Sequence, residues 1–351
     1  IHFPDNLGPH TMQQLISELD LANTHFLVIS KSGGTAETIA QMLACFSNLL
    51  TLVGEDEVKH YFTVIVQPGE SFLHDFAVKW RLPIHYHDPD LGGRFSVFSI
   101  VGLLPAMIVG LDVVALRDGA EQVLKSVMEA DHVCNMSAAM GAIAAYELQK
   151  KQAININVMM PYECRLESFS AWYKQLWAES LGKNGKGTTP FSAMGPVDQH
   201  SQLQLFLDGP HDKYFTVITT SSRGAGPTID SMLIEDANFK YMAGATIGDL
   251  VKAEANSTIE ALGERGKPVR HIKVGELNER SLGALIMHFI LETVIAAELF
   301  DVDPYDQPSV EYGKNLTKEY LTQLRDVRQT ISMPKAAVTL KKAGKIVAPK
   351  K

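Results

Sequence analysis

Short, nearly uninterrupted apolar runs that end in polar turns constrain the fold of this chain more than any other feature. A strand that is apolar at successive positions, rather than at every second one, is typical of a parallel sheet covered on both faces. Helical apolar spacing alternates with these runs and predicts a doubly wound α/β fold. The strand-like runs are residues 25–30, 61–66, 83–86, 154–160, 214–219 and 271–274, and the helical segments are 38–50, 163–181, 284–300 and 310–328.

A turn at Gly92 and Gly93 opens a further apolar helical segment, residues 95–109, in which Pro105 predicts an interruption. The chain has 351 residues, which corresponds to about two domains of ~150 residues. We therefore place the junction between two α/β domains near this segment.

The distribution of charge argues against nucleic acid as a partner. The formal net charge is −8, but residues 331–351 contain six Lys and no acid, so that residues 1–330 carry −14. A body this acidic is a poor non-specific binder of nucleic acid. We interpret residues 331–351 as a basic, mobile tail.

Cysteine usage and hydropathy predict a cytoplasmic protein. Cys45, Cys134 and Cys164 form no CxxC motif and cannot all pair, which is typical of a reducing compartment with the thiols as small core residues. The longest apolar run, residues 100–111, is shorter than the about 20 residues of a membrane-spanning helix. We expect neither a membrane segment nor a signal peptide.

The loop of residues 30–38 joins a predicted strand to a predicted helix, and it contains Ser30, Lys31, Ser32 and Thr35 around two glycines. Glycines allow a close backbone approach, and hydroxyls, N–H groups and a helix N-terminus together suit a phosphate. The spacing is neither a Walker A loop nor GxGxxG, so it does not indicate a nucleotide. A strand-to-helix turn with capping Ser and Thr is the alternative.

Glu179 lies at the margin of the apolar face of the predicted helix 163–181, in the last turn before Gly182. The negative end of the helix dipole and partial burial both disfavour a charged carboxylate there, which suits a general base. A surface glutamate at a helix end is the alternative. We expect the buried face of this helix to comprise Leu166, Phe169, Tyr173, Leu176 and Trp177.

Three further residues have both a chemical and a structural interpretation. His200 lies in a polar, turn-like segment and can move protons near neutral pH, although a lone histidine is usually structural. Lys314 lies at the margin of an apolar stripe and points either into a cleft or to solvent. Arg94 follows the Gly92 turn and is either a ligand-binding cation or part of an interdomain ion pair.

These motifs together resemble those of the phosphoglucose isomerase family. Each motif is weak alone, but five of them occur in the family's order within about residues 20–325. The resemblance implies two sugar-isomerase αβα sandwiches with mostly parallel sheets. It places the first domain at residues 1–112 and the second at 113–330, before the tail at 331–351. The five motifs are residues 30–38, 92–94, 175–180, 195–200 and 307–314.

The resemblance also implies an activity. Members of this family interconvert D-glucose 6-phosphate and D-fructose 6-phosphate in glycolysis and gluconeogenesis. The reaction combines acid–base ring opening with proton transfer through a cis-enediol(ate), and it uses no metal and no organic cofactor. The family also implies a homodimer, in which His200 reaches the active site of the neighbouring subunit.

The motifs assign a role to ten residues of this sequence. Glu179 would move the proton between C2 and C1, and Arg94 would stabilise the enediolate. His200 and Lys314 would assist ring opening. The substrate would be held by Ser30, Lys31, Ser32 and Thr35 at the phosphate, and by Gln175 and Gln307 at the sugar.

Three departures from the family pattern accompany the resemblance. A Gly-rich segment that precedes the phosphate loop in the family has no counterpart after Ile1, so we expect an N-terminally incomplete sequence. Ser309 stands where Gly is usual, and Gly33 and Gly34 replace a bulkier position. Two alternatives stay open: a non-catalytic sugar-phosphate sensor, and an isomerase specific for mannose 6-phosphate or an aminosugar phosphate.

Overall fold

The structure is a computed structural model that describes residues 1–309, 313 and 315–324. Contacts divide the chain into two units, Ile1–Tyr305 and Asp306–Lys351. In the second unit residues 315–324 are helical, as predicted, and the remainder of the predicted helix 310–328 is only partly described. The predicted tail, residues 331–351, lies outside the described residues, and the boundary at residue 112 stays a prediction.

The first three predicted strands form one parallel sheet in the order β1-β2-β3. Val28 pairs with Val64, and Val64 pairs with Ile84, so the apolar runs lie side by side. Val64, Ile65 and Val66 are fully buried, which confirms a sheet covered on both faces. The elements are α1 (Pro9–Glu18), β1 (Phe26–Ile29), α2 (Ala36–Val53), β2 (Phe62–Val66), α3 (Phe72–Lys79) and β3 (Ile84–Tyr86).

The connection to the second sheet corrects one prediction. A 3-10 helix, Gly93–Phe98, precedes α4 (Ile100–Ile108), and Pro105 lies inside α4. The interruption is at Ser99, whose side chain accepts a hydrogen bond from the Val101 N–H and so starts the new helix. The expected break at Pro105 was therefore wrong by about two turns.

The second sheet is also parallel and has the strand order β5-β4-β6-β7. Three of its strands coincide with predicted runs, whereas β5 was not predicted. Its elements are α5 (Val113–Met128), α6 (Ser137–Gln152), β4 (Ile156–Pro161), α7 (Glu167–Leu181), β5 (Thr189–Ser192), α8 (Val197–Asp208), β6 (Lys213–Thr219), α9 (Ile247–Glu264), β7 (Val269–Lys273) and α10 (Glu279–Phe300).

Alternate residues of the central strands face two different cores. Met159 and Ile218 pack with α5, α6, α7 and α10 on one face, whereas Val158 and Val217 pack with α8 and α9 on the other. This is the predicted αβα sandwich, because successive side chains of a strand point to opposite faces. Helices α5 and α10 cross closely on the first face. A Cβ on Gly283 would lie 1.8 Å from the Leu116 carbonyl oxygen.

Two helices, α2 and α10, have the length and composition of a membrane span. In α10 the apolar residues are explained by packing, since Phe289, Ala296 and Ala297 are fully buried in the core. In α2 the same holds for one face, where Leu49 is fully buried.

The cysteines do not all behave as the sequence suggested. Cys45 is buried, and burial raises the pKa of its thiol to about 11. Cys134 and Cys164 are exposed instead of lying in the core. None of the three forms a disulfide.

Candidate active site

The predicted phosphate loop leaves the carboxyl end of β1 and enters α2. Ser30 is buried, and its hydroxyl donates a hydrogen bond to the Thr35 hydroxyl over 2.9 Å. Ser32 is exposed, and its hydroxyl accepts a hydrogen bond from the Gly34 N–H at 3.3 Å. Thr35 is the N-cap residue of α2, but its side chain makes no capping hydrogen bond. The loop therefore presents hydroxyls at a helix N-terminus, the geometry that suits an anion.

Gly33 is required by the close packing of this loop. It has a φ of +62°, and a Cβ there would lie 2.1 Å from the Ser71 hydroxyl oxygen. The Gly33 carbonyl accepts a hydrogen bond from the Leu73 N–H at 3.0 Å, which joins the loop to the start of α3. Any other residue at this position would push the loop away from α3.

Arg94 is held rigidly in the 3-10 helix that follows the Gly92 turn. Its side chain is 2% exposed. Its Nε donates to the Ser180 hydroxyl at 2.9 Å, and its Nη2 donates to the Pro304 carbonyl. The Arg94 carbonyl accepts from the Trp172 indole N–H at 3.0 Å. These contacts fix the direction in which the remaining guanidinium nitrogen points.

That nitrogen, Arg94 Nη1, contacts Glu179 Oε2 at 3.2 Å. The other carboxylate oxygen, Oε1, accepts a hydrogen bond from Gln175 Nε2 at 3.1 Å. The Glu179 side chain is 31% exposed, so a ligand can reach it. The two residues are 85 positions apart in the sequence, and the fold brings them into direct contact.

Glu179 lies on its helix where the sequence places it. Its position in the last turn of α7, before the C-cap Gly182, is as predicted, and all five residues of the predicted buried face are buried. The structure adds one contact that the sequence did not indicate, the guanidinium of Arg94 at 3.2 Å from Glu179 Oε2.

The structure does not assemble all ten predicted site residues. Lys31 is half-buried beside the exposed Ser32. His200 is exposed on α8, in the turn after the Gly195–Pro196 cis peptide bond. Gln307 is exposed and belongs to the second unit. Lys314 lies outside the described residues.

Three contributors to the site were missed by sequence reasoning. Ser180 is fully buried and holds Arg94 Nε, Pro304 contributes a backbone carbonyl, and Trp172 holds the Arg94 carbonyl. Ser180 follows Glu179 directly and lies three residues after Trp177 on the apolar face of the helix, and this spacing was a usable signal. The backbone carbonyl of Pro304 left no signal, because any residue offers one.

The chain is similar to known proteins over most of its length. The model of the family described as phosphoglucose isomerase matches residues 1–340. The glucose-6-phosphate isomerase of Rubrobacter xylanophilus is 38% identical over 319 residues, which cover 90% of this chain and 73% of the relative. The probable glucose-6-phosphate isomerase of Methanococcus maripaludis is 36% identical over 323 residues, which cover 92% and 71%.

Two solved structures are also similar. A hypothetical protein of Thermus thermophilus aligns with a TM-score of 0.84 at 34% identity, over 91% of this chain and 77% of that chain. A glucose-6-phosphate isomerase of Chlamydia trachomatis aligns with a TM-score of 0.73 at 19% identity, over 93% and 66%, and this similarity concerns the fold alone.

The parallel sheets covered by helices on both faces have the same fold as the solved glucose-6-phosphate isomerase of Chlamydia trachomatis. The family match and the identity to the curated relatives carry the assignment further. The chain belongs to the phosphoglucose isomerase family. The family, the fold class and the isomerase class that the sequence predicted are thereby confirmed.

Proposed function

We propose that this protein interconverts D-glucose 6-phosphate and D-fructose 6-phosphate, a step of glycolysis and gluconeogenesis, with Glu179 as the base. The observation that carries this proposal is the contact between Arg94 and Glu179, a fixed cation beside a reachable carboxylate. A sugar-phosphate sensor needs neither group. An aldose–ketose isomerase needs both, one to move a carbon-bound proton and one to stabilise the resulting charge.

In the proposed reaction, Glu179 removes the proton from C2 of the open-chain aldose. The C2–H electron pair forms the C1=C2 bond, and the negative charge develops on O1. Proton movement from O2 to O1, followed by return of the carbon-bound proton to C1, gives the ketose. Arg94 stabilises the enediolate, because its guanidinium is held by Ser180 and Pro304 and does not need to reorganise.

The phosphate is held remotely from the reacting carbons. Ser30, Lys31, Ser32 and Thr35 supply the anchor, and binding energy gained there can be used to position C1 and C2 at Glu179. Gln175 has two proposed roles. It orients the base, since its Nε2 donates to Glu179 Oε1 at 3.1 Å, and it hydrogen-bonds the sugar. Gln307 is proposed to bind the sugar as well.

Ring opening needs a second acid–base pair, because the O1 hydroxyl loses a proton while the ring oxygen O5 gains one. We assign this step to His200 and Lys314. The His200 side chain is exposed and forms no hydrogen bond within the described residues, so it is available to a site on a neighbouring subunit. This supports a homodimer in which His200 of the partner subunit completes the site. We further propose a cytoplasmic enzyme, and the reaction as written calls for no metal or organic cofactor.

Subunit mixing tests the shared site. Glu179→Gln and His200→Ala chains are each expected to be inactive, whereas mixed dimers regain one intact site and part of the activity. An absence of recovery after confirmed subunit exchange would place each site within one chain.

The Glu179→Gln substitution tests the proposed reaction. Gln keeps the size and a hydrogen-bonding capacity but cannot accept the proton, so isomerisation should fall by at least ~10²–10⁴-fold. Binding of fructose 6-phosphate, measured by calorimetry, should persist. The matched control is Glu167→Gln, which changes an exposed glutamate in the first turn of the same helix.

Deuterium incorporation at C1 of fructose 6-phosphate, followed by NMR in heavy water, isolates the proton transfer. The control should exchange as the unmodified protein does. Exchange at the same rate in Glu179→Gln would assign the base to another residue and would remove the core of the proposal.

A further inference from the structure

A cavity lies at the carboxyl edge of the second sheet, where β6 and β7 end. Its volume is about 430 Å³, within the range of about 300–1,000 Å³ that is typical of small-molecule sites. Neither Arg94 nor Glu179 lines it, so it is distinct from the site described above. The lining residues are Thr219, Thr220, Ser221, Ser222, Arg223, Lys252, Lys273, Val274 and Gly275.

Three cations from three different segments line this cavity. Arg223 follows β6, Lys252 projects from α9, and Lys273 is the last residue of β7. Within the described residues, none of these three side chains forms a hydrogen bond or an ion pair. Cations that the fold gathers without neutralising them attract a negatively charged ligand.

The nearby acids offset only part of this charge, because Glu163 is paired with Arg165 and Asp249 supplies a single negative charge against three cations. Glu163 accepts two hydrogen bonds of 2.9 Å from Arg165, which lower the pKa of its carboxyl. Asp249 caps α9 and accepts from the N–H groups of Thr246 and Gly224 at 2.9 and 3.0 Å. The charge of Arg223 also lowers the pKa of the Asp249 carboxyl, so Asp249 offsets part of the Arg223 charge and leaves an excess of positive charge on Lys252 and Lys273.

The hydroxyls of the lining divide into two groups. Thr219 contacts the His271 imidazole at 2.8 Å, and Thr220 donates to Glu163 at 3.3 Å. The hydroxyls of Ser221 and Ser222 have no hydrogen-bond partner within the described residues. Two available hydroxyls beside three cations match a phosphate group, which carries up to two charges and three acceptor oxygens.

The pKa of His271 depends on the charges that line the cavity. Burial lowers the pKa of its imidazole, and the charges of Lys273 and Lys252 lower it further. The two lysines therefore act on the space beside His271, and an anion placed between them would oppose their effect.

We propose that this cavity binds the phosphate group of a phosphorylated small molecule at a second site of the protein. No aromatic residue lines it, so a stacked nucleobase is not favoured as part of the ligand. The cavity corresponds in position to the phosphate loop of residues 30–38. Both follow the carboxyl end of a parallel strand, which is the usual place for ligands in such sheets.

Phosphate titration by calorimetry, with inorganic phosphate as the probe, tests this site separately from the catalytic one. The unmodified chain should bind two equivalents. The double variant Lys252→Gln/Lys273→Gln should lose one of them, with an affinity reduced by about tenfold or more at that site. The matched control is Lys79→Gln/Lys240→Gln, which removes the same charge from two exposed lysines outside the cavity.

Two further arms make the outcomes distinct. The double variant Ser32→Ala/Thr35→Ala should lose the other equivalent of phosphate. If it still binds two equivalents, the proposed phosphate anchor at residues 30–35 is contradicted, whereas the second site is not. The titration is then repeated with glucose 6-phosphate. If the second site takes a phosphomonoester, glucose 6-phosphate should bind there at least as tightly as inorganic phosphate. Binding of inorganic phosphate alone would contradict a phosphorylated small molecule as the ligand. Equal binding by the Lys252/Lys273 variant and its control would overturn the proposal.

The imidazole of His271 provides an independent readout. Its NMR signal, assigned with His271→Gln, should titrate at a higher pH when phosphate is present, because the bound anion offsets Lys252 and Lys273. An unchanged titration at saturating phosphate would show that the cavity does not hold the anion.

Discussion

Two Arg–Glu pairs of the first unit have the same chemical groups and opposite surroundings. In the pair Arg94–Glu179 the arginine is 2% exposed and the carboxylate 31% exposed. In the pair Arg270–Glu292 the carboxylate is only 1% exposed. The difference decides what each pair can do, because only the first carboxylate can meet a substrate.

The buried pair is satisfied from all sides. Arg270 donates to both Glu292 oxygens, at 2.7 and 3.1 Å, and His288 contacts Oε2 at 3.1 Å. Arg270 also donates to the Thr216 hydroxyl at 3.0 Å. Gly141 makes room for the pair, since a Cβ there would lie 2.2 Å from Arg270 Nη1. Such a pair fixes the packing of β7 against α10.

In the pair Arg94–Glu179 the carboxylate has fewer hydrogen-bond partners than the guanidinium. Glu179 has a single contact at each oxygen, whereas Arg94 is held by Ser180, Pro304 and Glu179. A rigid cation next to a loosely held carboxylate suits catalysis. The comparison therefore predicts that substitutions in the pair Arg270–Glu292 lower stability, whereas substitutions in the pair Arg94–Glu179 lower activity.

The largest effect is expected for Glu292→Gln. Arg270 would keep its charge without a charged partner, and breaking a buried pair costs about 3–5 kcal/mol of unfolding free energy. The urea midpoint measures this change, and kcat of the folded fraction should persist. Glu121→Gln, which breaks the exposed pair with Lys125, is the control and should leave the midpoint unchanged. If Glu292→Gln changed the urea midpoint only slightly, the proposed difference between the two Arg–Glu pairs would be contradicted.

Acid should produce part of the same effect without a substitution. Burial raises the pKa of Glu292, but Arg270 and His288 outweigh it, so the pKa lies below its ordinary 4.5 in the folded state. The unfolded chain then binds more protons, and the stabilisation by this group is present above about pH 4.5 and decreases as the pH falls. Urea midpoints from about pH 6 to pH 3 should fall less steeply in Glu292→Gln than in the unmodified protein.

A smaller effect, confined to activity, is expected for Arg94→Lys. Lysine keeps the charge but loses the planar fork that reaches Ser180, Pro304 and Glu179, so enediolate stabilisation should weaken. We expect kcat to fall by about 10²–10³-fold, as for the loss of one preorganised donor. Arg270→Lys should do the reverse, lowering the unfolding midpoint while kcat persists. Equal losses of kcat in both variants would contradict the comparison.

The smallest effect is expected for Gln175→Ala. It removes one hydrogen bond to Glu179 Oε1 at an exposed position, and kcat/KM should fall by about three- to tenfold. Gln204→Ala removes a similar bond to Asp208 on α8 and serves as the control. If both variants matched the unmodified enzyme, Gln175 would not orient the base.

Local sequence patterns predicted the elements that are long and strongly apolar. Residues 25–30 and 61–66 became β1 and β2 because continuous apolar runs fit a buried parallel strand. The pattern failed at β5 (Thr189–Ser192), an edge strand of four residues that contains Pro190. Edge strands tolerate proline and need few apolar residues, so they leave a weak signal.

The sequence by itself determined the parallel α/β layers, the hydroxyl-rich loop at residues 30–35 and the position of Glu179 at the margin of an apolar helix face. These features are local, since periodicity of 2 or 3.6 residues decides which side chains can be buried. Only the tertiary structure decided which groups meet. Arg94 reaches Glu179 across 85 residues, and Arg223, Lys252 and Lys273 converge from three segments. Contacts between distant segments depend on how sheets and helices pack, and local periodicity does not encode that packing.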